Sequence, residues 1–387
     1  MTNRTSPTFR KRTAGIALSA ALALTAAACA STGSGATAAA SGSSGGCTAP
    51  AHVTIAENTI PIQLSLNMAE GLGDFKKVEA ACHTTISFDV IESPTAQIPA
   101  LFANQVQFIA VGTGNILSAA VQGKQFLVLL STAQGGGGVL VANAADKSKG
   151  TGVDALKNYG AGTTWAVASL GGPGQLVSDA LLQSVGVNYK DVNYVPVGTN
   201  GLVAAVAGNK AQVGYASSSQ AGSGAAAGQT YSVMYTASKQ VYEKLGFFSE
   251  AAFATQPSFA KQYPELTQQI VNAEVLGLKA TRDYFDNAAA ALKLMPASYQ
   301  STTDASVWAS TWKETAFTAA PLTGLTTEQD LNNELNLAIK YGVLPAGSKL
   351  PAGTADPSWV TKAYQQLNLP APTGPIMTAF MNANSPE

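Results

Sequence analysis

The 387 residues carry 22 lysines and arginines against 23 aspartates and glutamates, a net charge of −1, and only 12% of the chain is charged. That balance excludes a polycationic nucleic-acid surface and gives no sign of electrostatic attachment to an anionic membrane. With three cysteines and two histidines the usual zinc ligands are scarce, and a body of this length needs no metal or other cofactor to be stable.

The chain begins with a basic stretch (Arg4, Arg10, Lys11, Arg12), an apolar run from Ala14 to Leu24, and Thr25-Ala26-Ala27-Ala28-Cys29. A charged head, a short apolar core and small residues predict a secretory signal over residues 1–28, since the run is too short to span a bilayer comfortably. The residues before Cys29 resemble the bacterial lipobox, with Ala26 where Leu is usual. Lipidated Cys29 would become the new N-terminus; ordinary cleavage and a freely secreted protein is the alternative. Residues 30–46 are almost entirely Ala, Gly, Ser and Thr. They predict a flexible tether with an end-to-end distance of roughly 20–25 Å.

Alternating strand and helix patterns follow. Strand His52–Glu57, helix Leu64–Ala81, strand Thr84–Ile91, helix Pro94–Ala103, strand Gln107–Val111, helix Gly114–Gln122 and strand Gln125–Ser131 form one α/β layer. Gly135-Gly136-Gly137-Gly138 interrupts it, as either a crossover hinge or a plain surface loop. After Val139–Val141 the pattern restarts with strand Thr164–Ala168, helix Gln175–Val185, strand Val192–Val195, helix Gly201–Ala207, strand Gln212–Tyr215, helix Ser219–Ala226 and strand Tyr231–Tyr235. From Lys239 onward the chain reads as mainly helical, most clearly over 259–284, 306–318, 327–341 and 358–367. The fold class is therefore α/β, each layer a mainly parallel sheet flanked by helices, with a helical C-terminal region. Cys47 and Cys82 each precede a strand. Neighbouring parallel strands start side by side, so a bridge fits, with two buried or free thiols as the alternative.

The layers echo each other. Leu101, Ala103, Asn104, Gln107 and Phe108 lead into Val111-Gly112-Thr113-Gly114-Asn115; Val206, Gly208, Asn209, Gln212 and Val213 lead into Ala216-Ser217-Ser218-Ser219-Gln220. Together with Ala69-x-Gly71-Leu72-Gly73-x-Phe75, Gly171-Gly172-Pro173-Gly174 and Phe259-Ala260-x-x-x-Pro264-Glu265, these features resemble the nitrate/sulfonate/taurine class of ABC-importer substrate-binding proteins, of the type II periplasmic binding fold. The resemblance covers roughly residues 52–365. It implies a discontinuous first lobe (47–134 and 237–387), a second lobe (139–236), and a return crossing near Thr236 to Lys239. It further implies a monomeric receptor that passes a small solute to an ABC permease and ATPase, held outside the cell membrane by the lipid on Cys29. The family often has Gly-x-Val-Asp where this chain has Asn104-Gln105-Val106-Gln107, and Asp where Gln212 stands; both changes read as structural.

In open parallel sheets ligands bind beyond the carboxyl ends of strands, where helix N-termini converge. The candidates are Glu57, Asn58, Thr59, Gly112, Thr113 and Asn115 in the first lobe. In the second they are Ser169, Gly171, Gly172, Gln175, Thr199, Asn200, Tyr215, Ser217 and Ser218. Each has a plainer reading: Ser169 to Gly174 as a loop and helix cap, Tyr215 as core, Glu57 as a cap for the next helix. No lysine or arginine falls at these strand ends and Arg282 is the lone arginine after residue 12. A neutral polar or zwitterionic solute therefore fits better than a multivalent anion, and a singly charged sulfonate remains compatible. Against a secreted enzyme, His52 and His83 stand at strand beginnings, away from the end where a triad would act, and the Gly171 run lacks the Lys-Ser/Thr of a P-loop. A structural surface lipoprotein is the third class.

Overall fold

The structure, a computed structural model, describes residues 46–57, 63–91, 93–135 and 138–386. The signal, Cys29 and most of the tether, along with Asn58, Thr59, Gly136 and Gly137, lie outside the described residues. Among the described residues no helix is long and apolar enough to cross a membrane.

Among the described residues ten strands form two five-stranded sheets. They are β1 (His52–Glu57), β2 (Thr85–Val90), β3 (Phe108–Gly112), β4 (Leu127–Gln134), β5 (Gly138–Asn143), β6 (Thr164–Val167), β7 (Asn193–Pro196), β8 (Val213–Ser217), β9 (Thr230–Tyr235) and β10 (Ser249–Thr255). The first sheet runs β2-β1-β3-β10-β4 and the second β7-β6-β8-β5-β9. Each has a parallel trio, but β10 is antiparallel to β3 and β4, and β5 to β8 and β9, so the sheets are mixed rather than mainly parallel. The edge strands β2 and β7 are partly exposed, whereas β3, β4 and β10 are wholly buried.

β10 is a strand that the sequence reading missed, and β5, where it singled out only the apolar Val139–Val141, is another. The Ser-Glu-Ala-Ala-Phe-Ala-Thr of β10 has a single aromatic and no branched aliphatic residue, so it lacks the usual strand composition. Burial between two strands forms it instead. The first sheet resumes at Ser249, after a helix over Lys239–Leu245.

Two long helices in the sequence pattern prove to be pairs. The 64–81 stretch splits into Leu64–Gly71 and Asp74–Cys82, because Gly73 sits in the left-handed region at φ 74°. Pro264 opens a fresh helix, Pro264–Asp283, after Pro257–Gln262. Short helices over Ala288–Leu292, Ala297–Thr302 and Thr378–Asn384 also escaped the periodicity reading.

The internal echo is structural. Asn104 and Asn209 both turn the chain at positive φ, 57° and 56°. Three residues on, the Gln107 side-chain oxygen accepts from the Thr54 amide at the start of β1, and the Gln212 oxygen accepts from the Thr164 amide at the start of β6, each at 2.7 Å. The two glutamines thus do the same backbone work in equivalent halves. Cys47 and Cys82 are joined by a disulfide, Cα to Cα 4.7 Å, which ties the approach to β1 to the end of the helix before β2.

Candidate functional site

Three helices start directly beyond strand ends. β3 enters helix Thr113–Val121 with Gly112 as its cap, β8 enters helix Ser218–Ala226 capped by Ser217, and β6 leads through residues 168–172 to helix Pro173–Ser184, capped by Gly172. Helix starts from the two sheets meet. A Cβ added to Gly112 would lie 3.0 Å from both Pro173 Cγ and Asn115 Nδ2, and one on Gly114 would be 3.9 Å from the Gly171 carbonyl. Gly112, Asn115, Gly171 and Gly172 are therefore brought together, and glycine is what allows so close an approach.

Other predicted residues are used locally. Gln175 Oε1 accepts the Gly171 amide at 2.9 Å, tying the loop to its own helix, while Ser169 lies exposed on that loop. Thr113 is fully buried, its hydroxyl 3.0 Å from Ser249 Oγ, which is 2.8 Å from Ser131 Oγ, so this chain of hydroxyls points into the first sheet. Ser217 forms a reciprocal capping box with Gln220, whose amide also donates to the Thr199 carbonyl at 3.0 Å. Ser218 is buried behind it. Glu57, at the end of β1, is 8% exposed.

Asn200 is set apart from the Gly112–Pro173 junction. With Ser219, Gln220 and Gln229 it lines a cavity of about 360 Å³, whose other wall is Tyr299 and Asp304 from the C-terminal helices. That volume suits a small solute, and the lining carries no lysine or arginine. Asp304 is already committed, accepting from the Ser306 hydroxyl at 2.6 Å and, as a helix cap, from the Val307 and Ser306 amides at 3.1 and 2.7 Å, and these bonds hold its carboxyl below the usual range.

Two acids missed at the sequence level lie at the seam between the sheets. Tyr215 packs its ring against Gly138 and Gly174, where added Cβ atoms would fall 2.5 and 2.7 Å from ring carbons, and its hydroxyl donates to Glu250 Oε1 at 3.3 Å. Glu250 belongs to β10 in the first sheet and Tyr215 to β8 in the second, so the bond joins the two halves. Burial pushes the Glu250 carboxyl up to about 8, although the Tyr215 hydroxyl favours the anion. Glu334, on helix Glu328–Lys340, is 1% exposed. Burial raises its carboxyl well above the ordinary value and the facing charge of Glu250 adds to this, with the Ser249 amide giving slight relief. Neither Glu334 oxygen makes a hydrogen bond of standard geometry among the described residues. A signal for both existed: Glu250 interrupts an otherwise uncharged stretch, and Glu334 falls on the apolar stripe of Leu331, Leu335 and Ala338.

The histidines are remote from this seam. His52 begins β1, its ring 3.0 Å from Ser87 Oγ, and His83 ends the helix before β2.

No protein-family profile matches the sequence, and no curated protein does. Solved structures do match. The periplasmic nitrate-binding protein NrtA from Synechocystis superposes with a TM-score of 0.67 at 13% identity, covering 87% of this chain and 99% of that one. It has the two-lobed fold of the periplasmic binding proteins. The alkanesulfonate-binding protein SsuA from Xanthomonas axonopodis pv. citri, bound to MOPS, gives 0.63 at 16% identity over 79% of this chain and 98% of its own. The periplasmic-binding scaffold also carries chemistry elsewhere: the desulfurization enzyme DSZB matches at 0.54 and 15% identity, covering 82% of this chain and 100% of that one. Most of the solved neighbours named are binding components of transport systems.

Proposed function

We propose that this chain is an extracytoplasmic solute-binding receptor, which captures a small polar organic solute between its lobes and delivers it to an ABC permease and ATPase. The observation that carries the reading is the meeting of helix starts from opposite lobes, Gly112–Thr113 against Gly172–Pro173, with a cavity opening between the second lobe and the C-terminal helices. A ligand contacting both lobes only when they are shut shifts the population toward the closed form. The neighbours named as nitrate- and sulfonate-binding proteins support the same reading.

The cavity lining combines amides, hydroxyls, one aromatic ring and the capped Asp304 carboxylate, without a cation, which supports a neutral or zwitterionic solute, taurine-like compounds included. In this reading the body works as a monomer and as a receptor rather than an enzyme; His52, at the start of β1, and His83, at the end of the helix before β2, are not among the residues named at the seam. Lipidation of Cys29 would hold it on the outer face of the cell membrane.

A thermal-shift screen of taurine, MOPS, nitrate, pyrimidines and aromatic acids tests the receptor role. A ligand that binds only the native state raises the melting temperature, by about 2.7 kcal/mol of stabilisation at a hundredfold excess over Kd. Scattering should then show a smaller radius of gyration with the ligand that scores. Turnover of any of these compounds by the purified chain would refute the receptor reading in favour of an enzyme. Mass spectrometry of the membrane fraction, with Cys29→Ala as control, tests the anchor.

A further inference from the structure

Glu250 and Glu334 are both buried, near enough that the charge of Glu250 opposes ionisation of Glu334, and two such carboxyls are costly. Every element packed around them can be read for a compensating cation. β3, β4 and β5 carry no titratable side chain, nor does helix 113–121; β8 brings only Tyr215. Helix 173–184 brings Asp179, which accepts from the Tyr194 hydroxyl at 2.7 Å. On helix 328–340, Glu328 accepts the Gly353 amide at 2.5 Å, Asp330 serves the capping box with Thr327, and Lys340 lies over the Tyr341 ring at 5.2 Å. Among the described residues no cation acts on the pair, so protons neutralise it while the two halves are in contact here.

We infer that Glu250, Glu334 and Tyr215 form a proton-dependent latch, which holds the lobes closed while the two carboxyls are protonated and releases them when either ionises. It rests on the reading of the lobes as opening and closing around a solute. Tyr215 covers Glu250 from the second lobe, and Glu334 sits on a helix that packs against helix 113–121 of the first lobe, helix 173–184 of the second, and β10. Opening removes Tyr215 and admits water, which restores an ordinary carboxylate. The closed form therefore holds a proton that the open form gives up. The sign follows: closure is unhindered at acid pH and is progressively disfavoured as pH rises from the ordinary carboxyl range toward about 8, where Glu250 ionises even when covered. One such group changes the closed-to-open ratio by up to about tenfold per pH unit across that window.

The test is scattering and hydrogen exchange on the full chain without solute at pH 5, 6, 7, 8 and 9, for wild type, Glu250→Gln and Glu334→Gln. The expected result is a wild-type radius of gyration that grows from pH 5 to 8, with faster amide exchange at residues 171–175 and 249–251, and flatter profiles in both variants. A wild-type profile flat across the range overturns the latch, even should both variants fail to fold. An equal pH response in wild type and folded variants overturns it too. The same series repeated with MOPS and taurine as probes separates the two readings. If a probe closes the protein equally at every pH, the latch alone fails; if neither probe nor pH changes its dimensions, the closure reading fails with it.

Discussion

Gly277 is a point at which helices Leu64–Gly71 and Pro264–Asp283 touch. A Cβ built there falls inside the Ser65 carbonyl oxygen and 2.7 Å from its carbon, where ordinary contacts between carbons lie at about 3.5–4.0 Å. Gly277→Ala must therefore drive helix Pro264–Asp283 away from helix Leu64–Gly71 by about 1 Å. The obstacle is backbone, which cannot rotate aside, so the overpacking cost should reach the upper part of the usual 1–3 kcal/mol. The better helix propensity of alanine returns about 1 kcal/mol, leaving a net loss of about 2 kcal/mol. Retreat of the helix would also stretch the bond from Ser65 Oγ to Glu274 Oε2, now 2.7 Å. Urea denaturation measures the loss directly, with Gly374→Ala as control because nothing lies within 4 Å of an added Cβ there. A Gly277→Ala protein as stable as wild type would show that the two helices are not packed backbone to backbone and would sink the reasoning.

Burial also raises Glu274, to about 7 from 4.5, so the folded state keeps a proton that the unfolded state loses; this acid's contribution to stability falls between those values and levels off above. Glu274→Gln should therefore be more stable than wild type at pH 8 by about 1–3 kcal/mol and converge with it near pH 4.5, as denaturation at the two pH values would show. Gln107→Ala and Gln212→Ala each strip a partner from a strand-opening amide, at a cost of about 1–3 kcal/mol apiece. Because they act in separate sheets the double variant should show the sum, and strong non-additivity in denaturant midpoints would contradict their independence. Removing the Cys47–Cys82 bridge, which closes a loop across 35 positions, should cost about 3–4 kcal/mol by the chain-entropy estimate, read from melts of the double serine variant.

Local patterning made most of the architecture legible. The alternation of buried strands with amphipathic helices is written residue by residue, and the repeated Asn turn followed three residues later by Gln marks two equivalent halves whose glutamines bond equivalent amides. The strand-end rule likewise pointed to Gly112, Asn115, Gly171 and Gly172, which the structure brings together, because where a strand gives way to a helix is itself a local feature. It could not tell that Thr113 turns its hydroxyl inward to Ser249, or that Asn200 faces a cavity walled by Tyr299 and Asp304 from about a hundred residues further along. Tertiary structure alone decided β10, since an alanine-rich segment becomes a strand only when two strands already flank it. It also decided that Glu250 and Glu334 are buried near one another, with Tyr215 bonded to Glu250. Sequence fixes which positions favour burial through their period, but which buried groups meet depends on where a distant part of the chain returns, and no local period encodes that.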